Sequence, residues 1–320
     1  SKFDLSLEII PMNNELSLRF EYRTDLFTPK YIENFAKHYQ NLINTLLENV
    51  ENPISKVSIL NKEEENYILN ELNNTYVPYN KQIPLMSLFE KQVEQNPNKT
   101  ALIFEDTKFT YSQLNEKINR LANLLVQEYK IQRNQVVSIL VNRSENTVIS
   151  MLAALKIGAT YLLIDESLPF DRILYMLENS KSILLITTSN MKNIDFPYKL
   201  MLDKIDLNYY SPNPPNVTSS NEDGFCVIYT SGSTGTPKGV LLNRLGVINL
   251  LLNYQKVLDT NICDSFLSMS AISFDMFIVE NFIPLLSGKT VILCNEEQQK
   301  IPVFTLGLIK KYKANFLLTT

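Results

Sequence analysis

Alternation of apolar and polar positions marks the beginning of the chain. Residues 3–10 and 15–22 alternate with period two, which predicts two half-buried strands joined as a β-hairpin. Residues 29–50 then place apolar side chains at spacings of three and four, which predicts one amphipathic helix. Together these elements predict a small α+β unit over residues 1–55.

The next segment, residues 56–82, breaks this pattern with a charged run, an asparagine pair and Pro78, and is interpreted as a linker with one short helix. From residue 83 to residue 320 buried strands alternate with helices, which favours parallel sheets covered on both faces. Strands are predicted at 101–104, 109–111, 136–141, 159–164, 182–187, 225–229, 264–268, 289–294 and 314–318, and helices at 113–127, 145–156, 170–179, 240–254, 276–286 and 303–312. The predicted fold class is α/β.

One loop stands apart by its glycine content. The whole chain has eight glycines, and three of them lie within residues 232–239, between the strand at 225–229 and the predicted helix at 240–254. Glycines let backbone N–H groups approach an anion, hydroxyls add short donors, and a lysine adds charge. The candidate phosphate-binding residues are Thr230, Ser231, Gly232, Ser233, Thr234, Gly235 and Lys238. The Gly-Lys-Ser/Thr ending of a Walker loop is missing, and the flanking elements disfavour a simple Gly/Ser linker.

Charge and composition narrow the function classes. The net charge is −4, so the chain lacks the basic character typical of proteins that bind nucleic acid or anionic lipid. No apolar stretch reaches the length of a membrane helix. The single histidine, His38, argues against a histidine metal cluster or a Ser-His-Asp triad, and three widely separated cysteines predict no disulfide framework. We expect a cytoplasmic protein without a signal peptide.

Residues 229–239, YTSGSTGTPKG, resemble the phosphate-loop signature of adenylate-forming enzymes, specifically the adenylation domains of nonribosomal peptide synthetases. Three supporting blocks occur in the order found in that family. Residues 109–114 resemble L-T-Y-x-E-L, residues 155–165 resemble L-K-A-G-x-A-Y-x-P-x-D, and residues 274–280 resemble F-D-x-S-x-x-E. The resemblance covers residues 83–320 and implies the N-terminal part of an adenylation domain, with two alternating strand–helix layers of an adenylate-forming (ANL-type) core.

The beginning of the chain resembles the closing stretch of a condensation domain. The resemblance rests on residues 3–5, residues 22–27 and the helix predicted at 29–50. The His-His-x-x-x-Asp-Gly catalytic motif of that domain is absent, so residues 1–55 are interpreted as a remnant without condensation chemistry. A condensation domain followed by an adenylation domain is the order of an elongation module in the synthesis of antibiotics and other secondary metabolites.

The resemblance implies an ATP-dependent amino-acid adenylating ligase. Such an enzyme converts ATP and an amino acid into aminoacyl-AMP and pyrophosphate, then transfers the aminoacyl group to a phosphopantetheine thiol. The thiol belongs to a carrier domain outside this chain, so that carrier domain and the upstream condensation domain are the implied partners. The loop residues would hold the β- and γ-phosphates, and Mg²⁺ would share their charge.

Three residues match the amino-acid side of the family's active site. Asp275 matches the aspartate that pairs with the α-ammonium of the substrate, and it also fits an N-cap of the predicted helix at 276–286. Met276 and Val279 match positions that line the side-chain pocket, with ordinary core packing as the alternative. Because both are apolar, the resemblance disfavours a charged substrate side chain.

The chain also departs from the family pattern. Leu163 replaces a proline in a region predicted as buried strand, Arg244 replaces a histidine, and Phe277 replaces the serine of F-D-x-S. The last two are expected nearer the site, where they bear on the choice of substrate. The family's Tyr-Gly-Pro-Thr-Glu block, ribose-binding aspartate and late catalytic lysine would lie beyond Thr320, so no catalytic residue is assigned here and we expect the natural chain to continue.

Two other functions remain open at this point. An acyl-CoA or aryl-acid ligase of the same superfamily would share the phosphate loop but would have no use for Asp275. A non-catalytic structural or interaction fragment is favoured by the missing late blocks and by Phe277 and Arg244. Turnover that depends on an amino acid would separate these alternatives.

Overall fold

The structure is a computed structural model, and it describes residues 3–13, 15–48, 50–51, 53–230, 236–258 and 263–318. The chain forms two units, Ser1–Pro78 and Tyr79–Thr320. No helix within the described ranges is both long enough and apolar enough to cross a lipid bilayer.

The first unit is built on an antiparallel hairpin of β1 (Leu5–Met12) and β2 (Glu15–Tyr22). α1 (Pro29–Glu48) packs on this hairpin, where the ring of Phe20 meets the ring of Phe35 edge-on, with 5.9 Å between centroids. The predicted hairpin and helix are therefore confirmed, because alternation with period two and spacing of three and four each fit one regular element.

A short helical segment completes the first unit. α2 (Lys62–Asn66) starts with a capping box at Asn61 and continues into a π-helical turn over Tyr67–Glu71. Nε2 of His38 in α1 lies 3.0 Å from a carboxylate oxygen of Glu64 in α2, and both side chains are partly buried. The single histidine thus joins two helices of the first unit.

Strands and helices alternate through the second unit. Its strands are β3 (Thr100–Phe104), β4 (Thr107–Thr110), β5 (Val136–Leu140), β6 (Thr160–Leu163), β7 (Ser182–Thr187), β8 (Lys199–Met201), β9 (Gly224–Thr230), β10 (Lys238–Asn243), β11 (Ser265–Ser268), β12 (Thr290–Leu293) and β13 (Phe316–Leu317). Its helices are α3 (Leu85–Gln95), α4 (Tyr111–Gln127), α5 (Glu145–Lys156), α6 (Phe170–Asn179), α7 (Arg244–Val257), α8 (Asp275–Leu286), α9 (Glu296–Lys300) and α10 (Pro302–Tyr312). The α/β class predicted from the sequence is confirmed.

These strands form two sheets. The larger sheet has the order β10–β9–β6–β5–β7–β8 and is parallel apart from β10, which is antiparallel to β9. The smaller sheet has the order β13–β11–β12–β3–β4 and is parallel apart from the β3–β4 hairpin. In the larger sheet β6 lies on one side of β5 and β7 lies on the other, so the strand order reverses at β5. Open α/β sheets bind ligands at the carboxyl ends of strands, near such reversals of strand order.

Two helices are buried nearly all round. In α5 and in α8, ten of the twelve residues are buried, and seven of these in each helix belong to one large apolar core that includes residues of both sheets. A helix without a polar face is stable only inside a protein core, so these two helices belong between layers. A second, smaller core lies between α6 and the larger sheet.

Some elements were not predicted from the sequence. α3 follows Pro84 and buries Leu85, Met86 and Phe89. No helix was predicted there, because the segment before it is rich in turn residues and hides the point at which the helix begins. The short elements β8 and α9 were also missed, because three to five residues give no measurable periodicity.

The helix predicted at 240–254 is wrong at its beginning. Residues 238–243 form β10 instead, and the helix α7 starts at Arg244. The side chain of Asn243 accepts a hydrogen bond from the N–H of Gly246 at 2.7 Å and caps the helix there. The apolar run at 240–242 suits either element, and pairing with β9 makes it a strand. The glycine-rich loop therefore joins two strands rather than a strand and a helix.

Candidate active site

The candidate phosphate loop is the connection of the β9–β10 hairpin. Thr230, the last residue of β9, lies opposite Lys238, the first residue of β10, and both are exposed at the carboxyl end of β9. The structure thus brings two of the predicted phosphate-binding residues together at the base of the loop. The other five, Ser231, Gly232, Ser233, Thr234 and Gly235, lie outside the described residues.

Helix α6 contacts both arms of this hairpin. The hydroxyl of Tyr229 in β9 donates to Oδ1 of Asn179 at 2.7 Å and lies 3.2 Å from the carbonyl oxygen of Met176. The hydroxyl of Tyr175 donates to the carbonyl oxygen of Pro237 at 3.1 Å on the other arm. Burial raises the pKa of Tyr229, which keeps its hydroxyl protonated as a donor. The loop is therefore anchored to one helix on both sides.

Gly239 gives the Tyr229 ring the space for this contact. A Cβ at position 239 would lie 3.0 Å from Cζ of Tyr229 and 3.2 Å from a methyl group of Val227. Real Cβ atoms rarely make contacts this short, so a larger residue would displace the ring. The glycine that follows Pro237 and Lys238 thus serves ring packing at the foot of the loop.

The three residues predicted for the amino-acid side lie at the start of α8. Asp275 is the first residue of the helix and is exposed, Met276 is partly buried, and Val279 is 3% exposed and belongs to the large core. Phe274 occupies the N-cap position, and no side chain caps this helix end. The interpretation of Asp275 as the N-cap is therefore wrong, and its carboxylate is exposed at the first turn.

A buried carboxylate holds the segment that leads into α8. Glu280 is 1% exposed and accepts hydrogen bonds from the N–H groups of Met269 and Ser270 and from the hydroxyls of Ser268 and Ser270, at 2.6 to 3.2 Å. Burial raises the pKa of Glu280, and the hydrogen bonds from Ser270 offset part of that rise. This residue therefore fixes the turn between β11 and the helix that carries Asp275.

Arg143 also binds the same turn. It is 3% exposed and donates to the carbonyl oxygens of Ser268, Ser270 and Cys294 at 2.7, 2.5 and 2.6 Å. Its guanidinium also lies over the ring of Phe277, 4.9 Å from the centroid. Burial lowers the pKa of Arg143 to about 10, so it remains a cation at neutral pH. The turn is thus held by an arginine and a carboxylate that share Ser268 and Ser270 as partners.

The three departures from the family pattern lie in the core. Leu163 ends β6 as a buried strand residue, as predicted. Phe277 is fully buried in the large core and packs against Arg143. Arg244 is 1% exposed and donates to the carbonyl oxygens of Gly224 at 3.2 Å and Ala159 at 3.1 Å. Because Gly224 begins β9 and the loop follows its other end, the expectation that Arg244 lies near the site is wrong.

Four positioning residues were missed in the sequence. Tyr175 and Asn179 lie on a helix that the sequence predicted, but only the structure shows that they face the hairpin. Glu280 closes a block that the sequence singled out, and Arg143 follows shortly after a buried strand, where open sheets place ligand-binding or anchoring groups. A charged residue at such a place was the available signal for Arg143.

Comparison with known families identifies a match for each part of the chain. The family model described as AMP-binding enzyme matches residues 89–320, and the model described as condensation domain matches residues 1–69. The chain belongs to the AMP-binding enzyme family. The resemblance stated for the phosphate loop and for the beginning of the chain is confirmed by these two matches.

The similar curated members of the family are large peptide synthetases. Gramicidin S synthase 2 of Brevibacillus brevis is 34% identical over 314 residues, which cover 97% of this chain and 7% of that protein. Bacitracin synthase 2 of Bacillus licheniformis is 34% identical over 294 residues, which cover 91% of this chain and 11% of that protein. The chain thus spans about a tenth of the length of these relatives.

Solved structures of AMP-binding enzymes share the fold. The four-domain nonribosomal peptide synthetase holo-AB3403, bound to AMP and glycine, matches with a TM-score of 0.85 at 22% identity, over 99% of this chain and 24% of that chain. The N-terminal subdomain of NpsA from Klebsiella oxytoca, in complex with 3-hydroxybenzoyl-AMSN, matches with a TM-score of 0.66 at 26% identity, over 76% of this chain and 61% of that chain. The predicted α/β core of an adenylate-forming enzyme is therefore confirmed.

Proposed function

We propose that this chain is part of a nonribosomal peptide synthetase and that its second unit activates an amino acid with ATP. The reaction is ATP plus amino acid to aminoacyl-AMP plus pyrophosphate. The observation that carries the proposal is the β9–β10 hairpin, which places Thr230 and Lys238 side by side at the carboxyl edge of the larger sheet in an AMP-binding family member. Both side chains are exposed there, where they can contact phosphate oxygens.

The chemistry follows from where charge develops. The amino-acid carboxylate attacks the α-phosphate, and negative charge grows on the departing pyrophosphate. A lysine and hydroxyl donors aimed at those oxygens stabilise that charge, and we assign this role to Lys238 and to Thr230, Ser231, Gly232, Ser233, Thr234 and Gly235 of the loop. We propose that Mg²⁺, bound to the phosphates of ATP, shares the charge of these oxygens.

Asp275 is proposed as the partner of the substrate α-ammonium. Its carboxylate is exposed at the first turn of α8, and the turn before it is fixed by Glu280. Met276 and Val279, which lie on the same helix, are proposed as residues that line the side-chain pocket. An ammonium that leaves water needs an opposite charge, and a substrate without an amino group would leave Asp275 without a partner.

The partners proposed for this chain lie elsewhere in the synthetase. Residues 1–69 match a condensation domain, and the relatives are multidomain proteins of which the chain spans a small part. We therefore propose that the aminoacyl group passes to the phosphopantetheine thiol of a carrier domain, and that a condensation domain then uses it. We keep the division proposed from the sequence, with a condensation remnant over 1–55, a linker over 56–82 and the adenylation part over 83–320.

ATP–pyrophosphate exchange with single amino acids tests the proposal. Exchange that depends on one amino acid, and that Lys238→Met lowers by at least tenfold, is the expected result. Exchange with 3-hydroxybenzoate or a fatty acid in place of an amino acid would instead favour the ligase alternative and contradict the role of Asp275.

A binding measurement tests the same proposal without turnover. Aminoacyl sulfamoyl-adenosines imitate aminoacyl-AMP, and calorimetry compares each with its counterpart that lacks the α-amino group. We expect the amino form to bind about 10- to 100-fold more tightly, because a desolvated ammonium–carboxylate contact contributes about 1.5–3 kcal/mol. Asp275→Asn should remove this preference and leave the affinity of the counterpart unchanged, whereas equal affinities in the unsubstituted chain would refute the assignment.

A further inference from the structure

A cavity of about 70 Å³ lies at the carboxyl ends of β6 and β9. Residues 227–229 line one side of it, directly before Thr230 of the phosphate loop. Residues 272–274 line another side, directly before Asp275. The cavity therefore lies between the residues proposed for ATP and those proposed for the amino acid.

One polar atom in this cavity has no partner. Nε of Arg172 is shielded from solvent and makes no hydrogen bond in the part of the chain that the structure describes. The hydroxyl of Tyr161 lines the same cavity beside the thiol of Cys226. Within the described residues the Arg172 side chain forms no ion pair, and no carboxylate lines the cavity. A buried donor without an acceptor has given up its hydrogen bonds to water without replacement, so this arrangement favours the binding of an acceptor.

Helix stability does not account for the arginine. Arg172 is the third residue of α6, and a cation at the N-terminal turn is opposed by the helix dipole. One turn further along the helix, the hydroxyl of Tyr175 donates a hydrogen bond to the carbonyl oxygen of Pro237 in the loop hairpin. In the next turn, Asn179 accepts a hydrogen bond from the hydroxyl of Tyr229. Arg172 thus continues the helix face that contacts the hairpin, at the end nearest the carboxyl edge of the sheet.

We propose that Arg172 binds an oxyanion of the ATP phosphate chain, with the Tyr161 hydroxyl as a second donor. The inference rests on the proposed function and adds a residue to that site. The cavity has room for about five water-sized volumes, enough for one phosphate group. A guanidinium offers planar, paired donors that match such oxygens, and a phosphate would supply the acceptor that Nε lacks. The other oxyanion of the reaction is the amino-acid carboxylate, so the test separates the two.

Calorimetric titration of the whole chain with pyrophosphate tests the proposal. Arg172→Met should weaken pyrophosphate binding by about 10- to 100-fold, and Arg172→Lys by less, because the charge is kept without the paired donors. Lys204→Met is the matched control, since Lys204 is exposed elsewhere in the unit and its loss should leave the affinity unchanged. Adenosine, which carries no phosphate, should bind the chain and its Arg172→Met variant equally.

Thermal unfolding without ligand distinguishes binding from a structural role. Because Nε has no acceptor among the described residues, Arg172→Met should unfold at the same temperature as the original chain or higher. A clear loss of stability in that variant would show that the arginine supports the fold and would overturn the proposal.

Three binding outcomes complete the test. Pyrophosphate binding that is unchanged in Arg172→Met overturns the role of Arg172 alone. Acetate is the simplest carboxylate probe. If the substitution weakens acetate binding and leaves pyrophosphate binding unchanged, the cavity binds the carboxylate, and the proposal that Arg172 binds phosphate is overturned. Absence of both ATP and pyrophosphate binding in the unsubstituted chain would contradict the proposed function itself, and this inference with it.

Discussion

Replacement of Glu280 should destabilise the second unit more than replacement of any exposed carboxylate. In Glu280→Ala, two backbone N–H groups, those of Met269 and Ser270, lose their acceptor in a partly buried turn. Each buried donor left unpaired costs about 1–3 kcal/mol, and Arg143 loses the nearby opposite charge. We therefore expect the free energy of unfolding to fall by about 3–5 kcal/mol.

The isosteric change Glu280→Gln should cost less, about 1–2 kcal/mol. One amide oxygen can replace Oε2, which accepts from both backbone N–H groups, and the amide nitrogen can replace Oε1. The hydroxyl of Ser270 donates to Oε1 and can turn to accept from that nitrogen. The additional strength of a charged acceptor is then lost, together with the 3.2 Å hydrogen bond from the N–H of Ser270 to Oε1.

Urea unfolding followed by circular dichroism measures both variants, with Glu178→Gln on the exposed face of α6 as the control. The control should change the free energy of unfolding by less than about 0.5 kcal/mol. Equal effects of Gln and Ala at position 280 would refute the reasoning, because they would show that the cost comes from lost charge rather than from unpaired backbone donors.

Three further predictions follow from contacts in the second unit. Gly239→Ala should lower the free energy of unfolding by about 1–3 kcal/mol by displacing the Tyr229 ring, whereas the matched Gly307→Ala, where nothing lies within 4 Å, should raise it by up to about 1 kcal/mol in urea unfolding. Arg244→Met should lower the free energy of unfolding by about 2–4 kcal/mol, because the buried carbonyl oxygens of Gly224 and Ala159 lose their donor. An unchanged midpoint of urea unfolding would contradict this. Burial raises the pKa of the Cys226 thiol to about 12, so it should resist thiol reagents at pH 8 until the chain unfolds, as peptide mass spectrometry can check. Since an unfolded thiol ionises near pH 8.5, the contribution of Cys226 to stability should be lost as pH rises from there toward 12, and Cys226→Ala should reduce that slope.

The sequence predicted the elements that carry their own periodicity. The first hairpin, α1 and most alternating elements of the second unit have local patterns that only one structure satisfies. β10 was missed because the run at 240–242 is compatible with strand or helix, and pairing with β9 decides between them. Asn243, a good N-cap residue just before the true helix, was a local signal that could have corrected the boundary.

The residues of the candidate site also fall into those that the sequence pointed to and those that only the structure shows. Lys238 was proposed from the residue types of the glycine-rich loop, and Asp275 was proposed from its match to a family motif. The residues that position them, such as Tyr175 and Glu280, were not identified from the sequence. They act through contacts to residues far along the chain or across a turn. Arg172 looks like an ordinary helix residue in the sequence, and only the absence of a partner among the described residues distinguishes it.

The pairing of β3 with β12 has a consequence for synthesis of the protein. The hydroxyl of Thr290 donates to the carbonyl oxygen of Thr100 across a separation of 190 residues, and Val291 lies opposite Leu102 in the parallel pair. At a ribosomal rate of about 5–20 residues per second, β3 waits roughly 10–40 s for its neighbour to emerge. During that interval the β3–β4 hairpin presents an open apolar edge, which is the kind of surface that chaperones bind. We therefore expect this edge of the nascent chain to be open to wrong pairing until residue 293 has left the ribosome.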